Sequence, residues 1–442
     1  MAEEFNDAKY QAELAELEAL DKAPAGKRIK GMMKYTGPAF MEAATTLGAG
    51  SFASACTMGA VYGYTMLWVP FYSYLLGMGM LALASRFAIF GKGGVDIITA
   101  QNKYHGKAVG SVATGLIACW LGYVTFSFGQ YALGTDAIEH MFNLFNINFP
   151  RQINWILILA LSLPFALQYG KNDKLIRAVE NFMKILIATM LVTFGVVLFN
   201  TGVDFGAMLR GLFIPTLPSG MEGITMAISS LIAVIAVGDW CQFHYAEKMR
   251  RYTPVHRRLA NFDMVIGGLI PVTLVLAFVG VAFAETFAGG SFPESTYELS
   301  NALVAAVPSP LIQVGFYLGV IALVVSTMIG MSTIAAQSLC RALGKPIDYN
   351  SKLWKFGIIF TQIGVGGAFF GKPMWAVILV SGAQSLLCWV SGSSWFLLSN
   401  DKRYLGEHVT KKYWFNLIVL GTVVLLNMVF VTFVLTEMGV WS

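Results

Sequence analysis

The 442-residue chain is 56% hydrophobic and only 12% charged, against roughly half and a quarter for a soluble globular protein. That balance excludes an ordinary soluble enzyme and indicates a polytopic membrane protein with no room for a sizeable soluble domain. The formal charge of +5 is scattered between apolar runs, which argues against a nucleic-acid surface and for charges that orient membrane segments.

Residues 1–34 open with MAEEFNDAKYQAELAEL and lack an apolar signal core, so they read as a charged cytoplasmic tail with a short surface helix. Residues 35–442 read as the transmembrane unit. A spanning helix needs about 20 mostly apolar residues. Runs of that kind lie near 37–62, 65–90, 108–140, 152–169, 175–200, 222–247, 260–286, 309–340, 354–371, 374–399 and 413–437. None alternates with period 2, so strands are not expected.

Lys27, Arg28, Lys30 and Lys34 precede the first run, and every second loop after it is basic. The alternate loops hold only Arg151, Arg210 and Lys372. The positive-inside rule then puts the N-terminus in the cytoplasm and, after eleven crossings, the C-terminus outside a cell (inner or plasma) membrane. Cys56, Cys119, Cys241, Cys340 and Cys388 stand singly in apolar segments and read as small apolar fillers. No cofactor, nucleotide or catalytic-triad motif is found.

Two runs carry breaks, near 47–51 and 236–240. The first holds Gly48-Ala49-Gly50-Ser51; the sixth holds Val237-Gly238-Asp239, with a lone acid at its centre. The breaks lie five helices apart, as in two corresponding halves, and paired interruptions of this kind point to a transporter built from inverted repeats. Unwound backbone at mid-membrane is tolerable where it lines a cavity. Gly48, Ala49, Gly50, Ser51, Val237, Gly238 and Asp239 are therefore the candidate substrate site, with glycine packing notches as the competing explanation.

The stretch GPAFMEAATTLGAGSFASACTMGAVYGYTMLWV resembles the opening of the Nramp (natural resistance-associated macrophage protein) divalent-metal transporters. Gly37, Pro38, Gly63, Tyr64, Leu67 and Trp68 fit that pattern, and the likeness continues at Asp96, at Thr135–Glu139, at 203–220 and at 399–406. The resemblance implies an all-α LeuT-like fold of two inverted five-helix repeats plus an eleventh helix. The departures fall on the family's metal ligands. Where the family has Asp-Pro-Gly-Asn this chain has Gly48-Ala49-Gly50-Ser51, and where the family has Met-Pro-His it has Val237-Gly238-Asp239.

An all-oxygen set of Asp239, Ser51 and freed carbonyls suits a hard divalent cation such as Mg²⁺ or Mn²⁺ rather than a soft metal. Asp239 and Ser51 are the expected metal ligands, in a secondary transporter with proton coupling. A second reading is a small organic substrate, an amino acid or carboxylate held on bare helix N-termini; a third is a non-transporting sensor. Asp136 and Glu139 share a helical face and match the family's proton route, and Glu42 is a further acid in the first run; all three are candidates for an ion or proton pathway. Gln337, Gln384 and His244 are pocket-lining candidates or plain interhelical partners. The expected partners are a small-molecule or ion substrate and the lipid bilayer; the oligomeric state stays open, a monomer included.

Overall fold

The computed structural model describes residues 7–171, 173–218, 227, 230–231, 236–287 and 291–437, and among them it contains helices and no strand. Helices occupy each apolar run that falls there. Four are long and apolar enough to cross a bilayer: Trp68–Phe90, Ala108–Leu144, Pro254–Thr286 and Pro310–Ala342. Ile153–Gln168, Ala188–Thr201 and Tyr413–Met428 are apolar but shorter. The run 222–247 lies largely outside the described residues; its last part is the helix Val237–Met249.

Pro310–Ala342 is the axis of the bundle. Its apolar window is 78% buried, as expected of a helix apolar all round and enclosed by others. Pro38–Thr46, Gly122–Leu144, Arg151–Gln168 and Lys352–Thr361 pack around it. Small residues bring helices together elsewhere. A Cβ on Gly59, in Ala49–Tyr62, would stand 2.1 Å from the carbonyl oxygen of Gly280, in Ile270–Thr286, so only glycine permits that crossing.

Besides the π-helical stretches Ala108–Leu121 and Met264–Leu269 in the third and seventh runs, three described runs break or change form within their length. The first ends at Thr46 and resumes at Ala49. The ninth passes from Lys352–Thr361 into a 3₁₀ stretch, Gln362–Phe369. The tenth divides into Pro373–Ser385 and Trp389–Ser399, a break that no Gly or Pro at 386–388 announces in the sequence.

Residues Asp7–Asp21 form a helix lying on the loop after Val237–Met249. Leu17 is buried there with Met32, Tyr252, Leu259 and Ala260. Tyr10 donates to the carbonyl of Arg251 at 2.6 Å, and Arg258 pairs with Asp21 at 3.2 Å.

Candidate functional site

The break in the first run is short. Gly48 N–H still donates to the carbonyl of Thr45 at 3.0 Å, but ψ of Gly48 is 178°, so the chain leaves the helix for one residue before Ala49 restarts it. A helix start exposes N–H groups, and one of them is taken: Ala49 N–H donates to Oε1 of Gln130 at 3.3 Å. The Ser51 hydroxyl donates back to the carbonyl of Thr46. Space, rather than φ, explains the glycines. A Cβ at Gly48 would meet Thr327 at 2.9 Å; at Gly50 it would meet Ser381 Oγ at 2.4 Å and the Phe126 ring at 3.0 Å.

Val237–Met249 begins at the other candidate segment, with Ala236 extended at φ −88°, ψ 138° as its cap. Asp239 therefore lies in the first helical turn, where a carboxylate is favoured by the free N–H groups. It is 4% exposed. Tyr123 donates to its Oδ1 at 2.6 Å, and Gly238 fits against the same tyrosine ring, which a Cβ would approach to 2.2 Å.

Glu42 is the residue whose position the sequence did not disclose. Buried at 2% exposure, it accepts from Thr46 Oγ1 at 2.8 Å and from the Tyr74 hydroxyl. The same Thr46 hydroxyl lies 3.5 Å from Oδ2 of Asp239. Two buried carboxylates from different segments thus meet around one hydroxyl, and among the described residues no Lys, Arg or His forms an ion pair with either. One turn beyond Asp239, Gln242 is 2% exposed, and among the described residues neither its amide oxygen nor its nitrogen has a hydrogen-bond partner. Asp239 does not stand alone: Glu42, read from the sequence as a candidate pathway acid, shares the Thr46 hydroxyl with it.

The remaining candidates separate. His244 accepts from the Ile97 N–H through Nε2 at 3.2 Å and bonds to the Ala84 carbonyl through Nδ1 at 3.1 Å. Both nitrogens are thereby used and the tautomer is set, with the proton on Nδ1. Asp136 accepts from Thr296 N–H at 2.8 Å and Thr296 Oγ1 at 2.6 Å, and pairs with Arg151 at 3.3 Å. Glu139 stands 3.9 Å from the same guanidinium, with His140 beside the cluster. Gln384 is buried just before the third break, its Nε2 without a partner among the described residues. Gln337 is buried in Pro310–Ala342.

A network missed by the sequence reading joins three elements nearby. Asp96 caps the helix Ile97–His105, accepts from Tyr245 at 3.1 Å and pairs with Arg341 at 3.2 Å. Arg341 thereby balances a buried acid.

A family profile described as "Natural resistance-associated macrophage protein-like", Nramp, matches residues 39–436. The chain belongs to the Nramp family. It is 28% identical over 280 residues to natural resistance-associated macrophage protein 1 of Homo sapiens, covering 60% of this chain and 48% of that protein. A metal transporter nramp1 homolog of Dictyostelium discoideum is 25% identical over 297 residues, with 63% and 52% covered. The chain spans about half the length of the curated relatives it matches. Among solved structures, a manganese transporter of Eremococcus coleocola superposes with a TM-score of 0.74 at 18% identity, over 90% of this chain and 86% of that one. MHP1, a nucleobase-cation-symport-1 family transporter with bromovinylhydantoin bound, gives 0.58 at 16% identity over 92% and 94%. These likenesses establish the fold: this Nramp chain has the LeuT-like helical arrangement of polytopic transporters and is an integral membrane protein.

Proposed function

We propose that this Nramp-family protein is a secondary transporter for a hard divalent cation, such as Mg²⁺ or Mn²⁺, with Glu42 and Asp239 as its two anionic ligands. One observation carries the reading: Thr46 Oγ1 lies 2.8 Å from Glu42 and 3.5 Å from Asp239, and both acids are buried with no basic partner among the described residues. Buried carboxylates in that condition are costly until a cation or protons neutralise them. Tyr74, Tyr123 and Thr46 orient the carboxylate oxygens, and the donors are all oxygen. Sulfur donors select softer metals; Mg²⁺ keeps several waters and asks for one or two carboxylates.

Gly48, Ala49, Gly50, Ser51, Val237 and Gly238 form the surrounding backbone, around which the helix halves would rock to alternate access. Ser51, whose hydroxyl already donates to the Thr46 carbonyl, contributes, on this reading, less than Glu42. One divalent ion or two protons neutralise the same pair, so proton coupling is assigned to Glu42 and Asp239. Asp136 is the weaker proton-route candidate because Arg151 and Thr296 already satisfy it, and Glu139 is tied to the same arginine. Residues 35–442 would be the transporter unit and 1–34 a tail on its cytoplasmic face, with the C-terminus outside, an orientation supported by the basic loops.

Isothermal titration of Mg²⁺ and Mn²⁺ into the purified full-length protein tests this. Asp239→Asn and Glu42→Gln should each weaken binding by at least the ~10–100-fold that losing a mere supporting partner costs a metal site. Amino acids should give no heat. Wild-type affinity in both variants would sink the proposal; loss in Asp239→Asn alone would remove Glu42 from it.

A further inference from the structure

We propose that a cleft on the basic side of the bundle is a binding site for an anionic phospholipid. It stands apart from the paired acids and does not depend on what they bind.

The cleft has a volume of about 510 Å³ and lies between Trp68–Phe90, the helix Arg257–Asp263 with its continuation Met264–Leu269, and the chain from Glu407 into Tyr413–Glu437. Its two ends differ in chemistry. One end gathers Arg86, Arg257, Lys411 and Lys412; the other is walled by Leu75, Met78, Ala82, Val265 and Ile418. The floor is closed where Gly79 lets the helices approach, since a Cβ there would reach Ile418 at 3.0 Å. Leu75 and Val265 each retain 36% exposure, so the apolar end opens sideways toward the acyl chains.

The charge at the basic end is not neutralised from within. Arg86 donates to the carbonyl of His408 at 3.1 Å and to Thr410 Oγ1 at 3.2 Å, both neutral acceptors. Its guanidinium lies 5.6 Å over Phe415, and that of Arg257 lies 5.9 Å over Phe90. The acid lining the cleft, Glu407, pairs with Lys411 at 3.7 Å, and among the described residues no carboxylate forms an ion pair with Arg86, Arg257 or Lys412.

Unpaired basic side chains at an interface normally extend into water. Here the aromatic rings hold two of them over a groove that continues into apolar walls. A free anion would satisfy the charges and leave the groove unfilled; a phospholipid supplies a phosphate for one end and a chain for the other. Basic pockets between helices on the cytoplasmic side bind anionic head groups by this combination. Trp414, 57% exposed beside the cleft, marks the level of the head groups.

The test uses full-length protein in neutral detergent, titrated with dioleoylphosphatidylglycerol, dioleoylphosphatidylcholine or inorganic phosphate, and read by native mass spectrometry and thermal unfolding. Phosphatidylglycerol should be retained and should raise the melting temperature; the other two should do neither. Each charge removed should weaken retention roughly fivefold, about the value of one basic residue near an anionic surface. Arg257→Gln tests this on an exposed side chain even if Arg86→Gln fails to fold, and Lys352→Gln, outside the cleft, should retain lipid like wild type. Equal retention of phosphatidylcholine, an equal shift with phosphate, or undiminished phosphatidylglycerol retention in Arg257→Gln would each overturn the proposal.

Discussion

His244 is fixed at both ring nitrogens, one to a helix N-terminus and one to a neighbouring carbonyl. Removing it leaves a buried backbone N–H at Ile97 without a partner, a loss of about 1–3 kcal/mol. His244→Ala should therefore unfold at a lower temperature while its Mg²⁺ titration stays like wild type; a specific loss of cation affinity would return the imidazole to the site. The contrast with Asp239 shows what a lone sequence can disclose at this scale. An acid in an apolar run beside Gly238 is visible in the sequence because it violates the local composition. Its encounter with Glu42 is not, because the link through Thr46 spans 193 positions and exists only once the helices pack. The spacing of Glu42 and Thr46, one turn apart on one helix, was the fragment of that arrangement available beforehand.

Helix positions followed from apolar runs, and the first break from glycines, but the break after Ser385 has neither a glycine nor a proline to signal it. Tertiary packing decides that element. The same holds for the tail helix, whose charge-rich sequence predicts a surface position yet leaves open what it covers. Glu16 accepts from Lys34 at 2.8 Å and from Tyr35 at 2.6 Å, and these bonds hold its carboxyl below the usual range. A lowered folded value means that this contribution is present above the ordinary carboxylate pKa and is lost as pH falls through the lowered one. Exposed pairs are weak, however, whereas buried Leu17 fills an apolar contact whose truncation costs about 2–5 kcal/mol. Hydrogen exchange over residues 7–32 should accelerate strongly in Leu17→Ala at neutral pH. Wild type should show only a modest increase, and only on acidification below the carboxylate range. Equal exchange in Leu17→Ala and wild type would mean that the helix is held by its charges.

Across the whole molecule, the fold was legible because bilayer physics leaves few alternatives: apolar length, alternating basic loops and paired interruptions all converge on one architecture. The relative placement of helices was not legible, and it creates a feature that function has not used. Cys119, on Ala108–Leu121, and Cys241, on the helix that carries Asp239, bring their sulfurs to 3.7 Å in a buried contact. If that helix rocks during transport, the gap between the thiols is a ruler lying inside the moving parts. Mild oxidation, removing two electrons and two protons from the pair, would staple the third run to the sixth in this arrangement. Cation uptake should then stop and return with dithiothreitol, while Cys119→Ser should be indifferent to oxidant. Uptake that survives verified crosslinking would show that these two helices travel as one body.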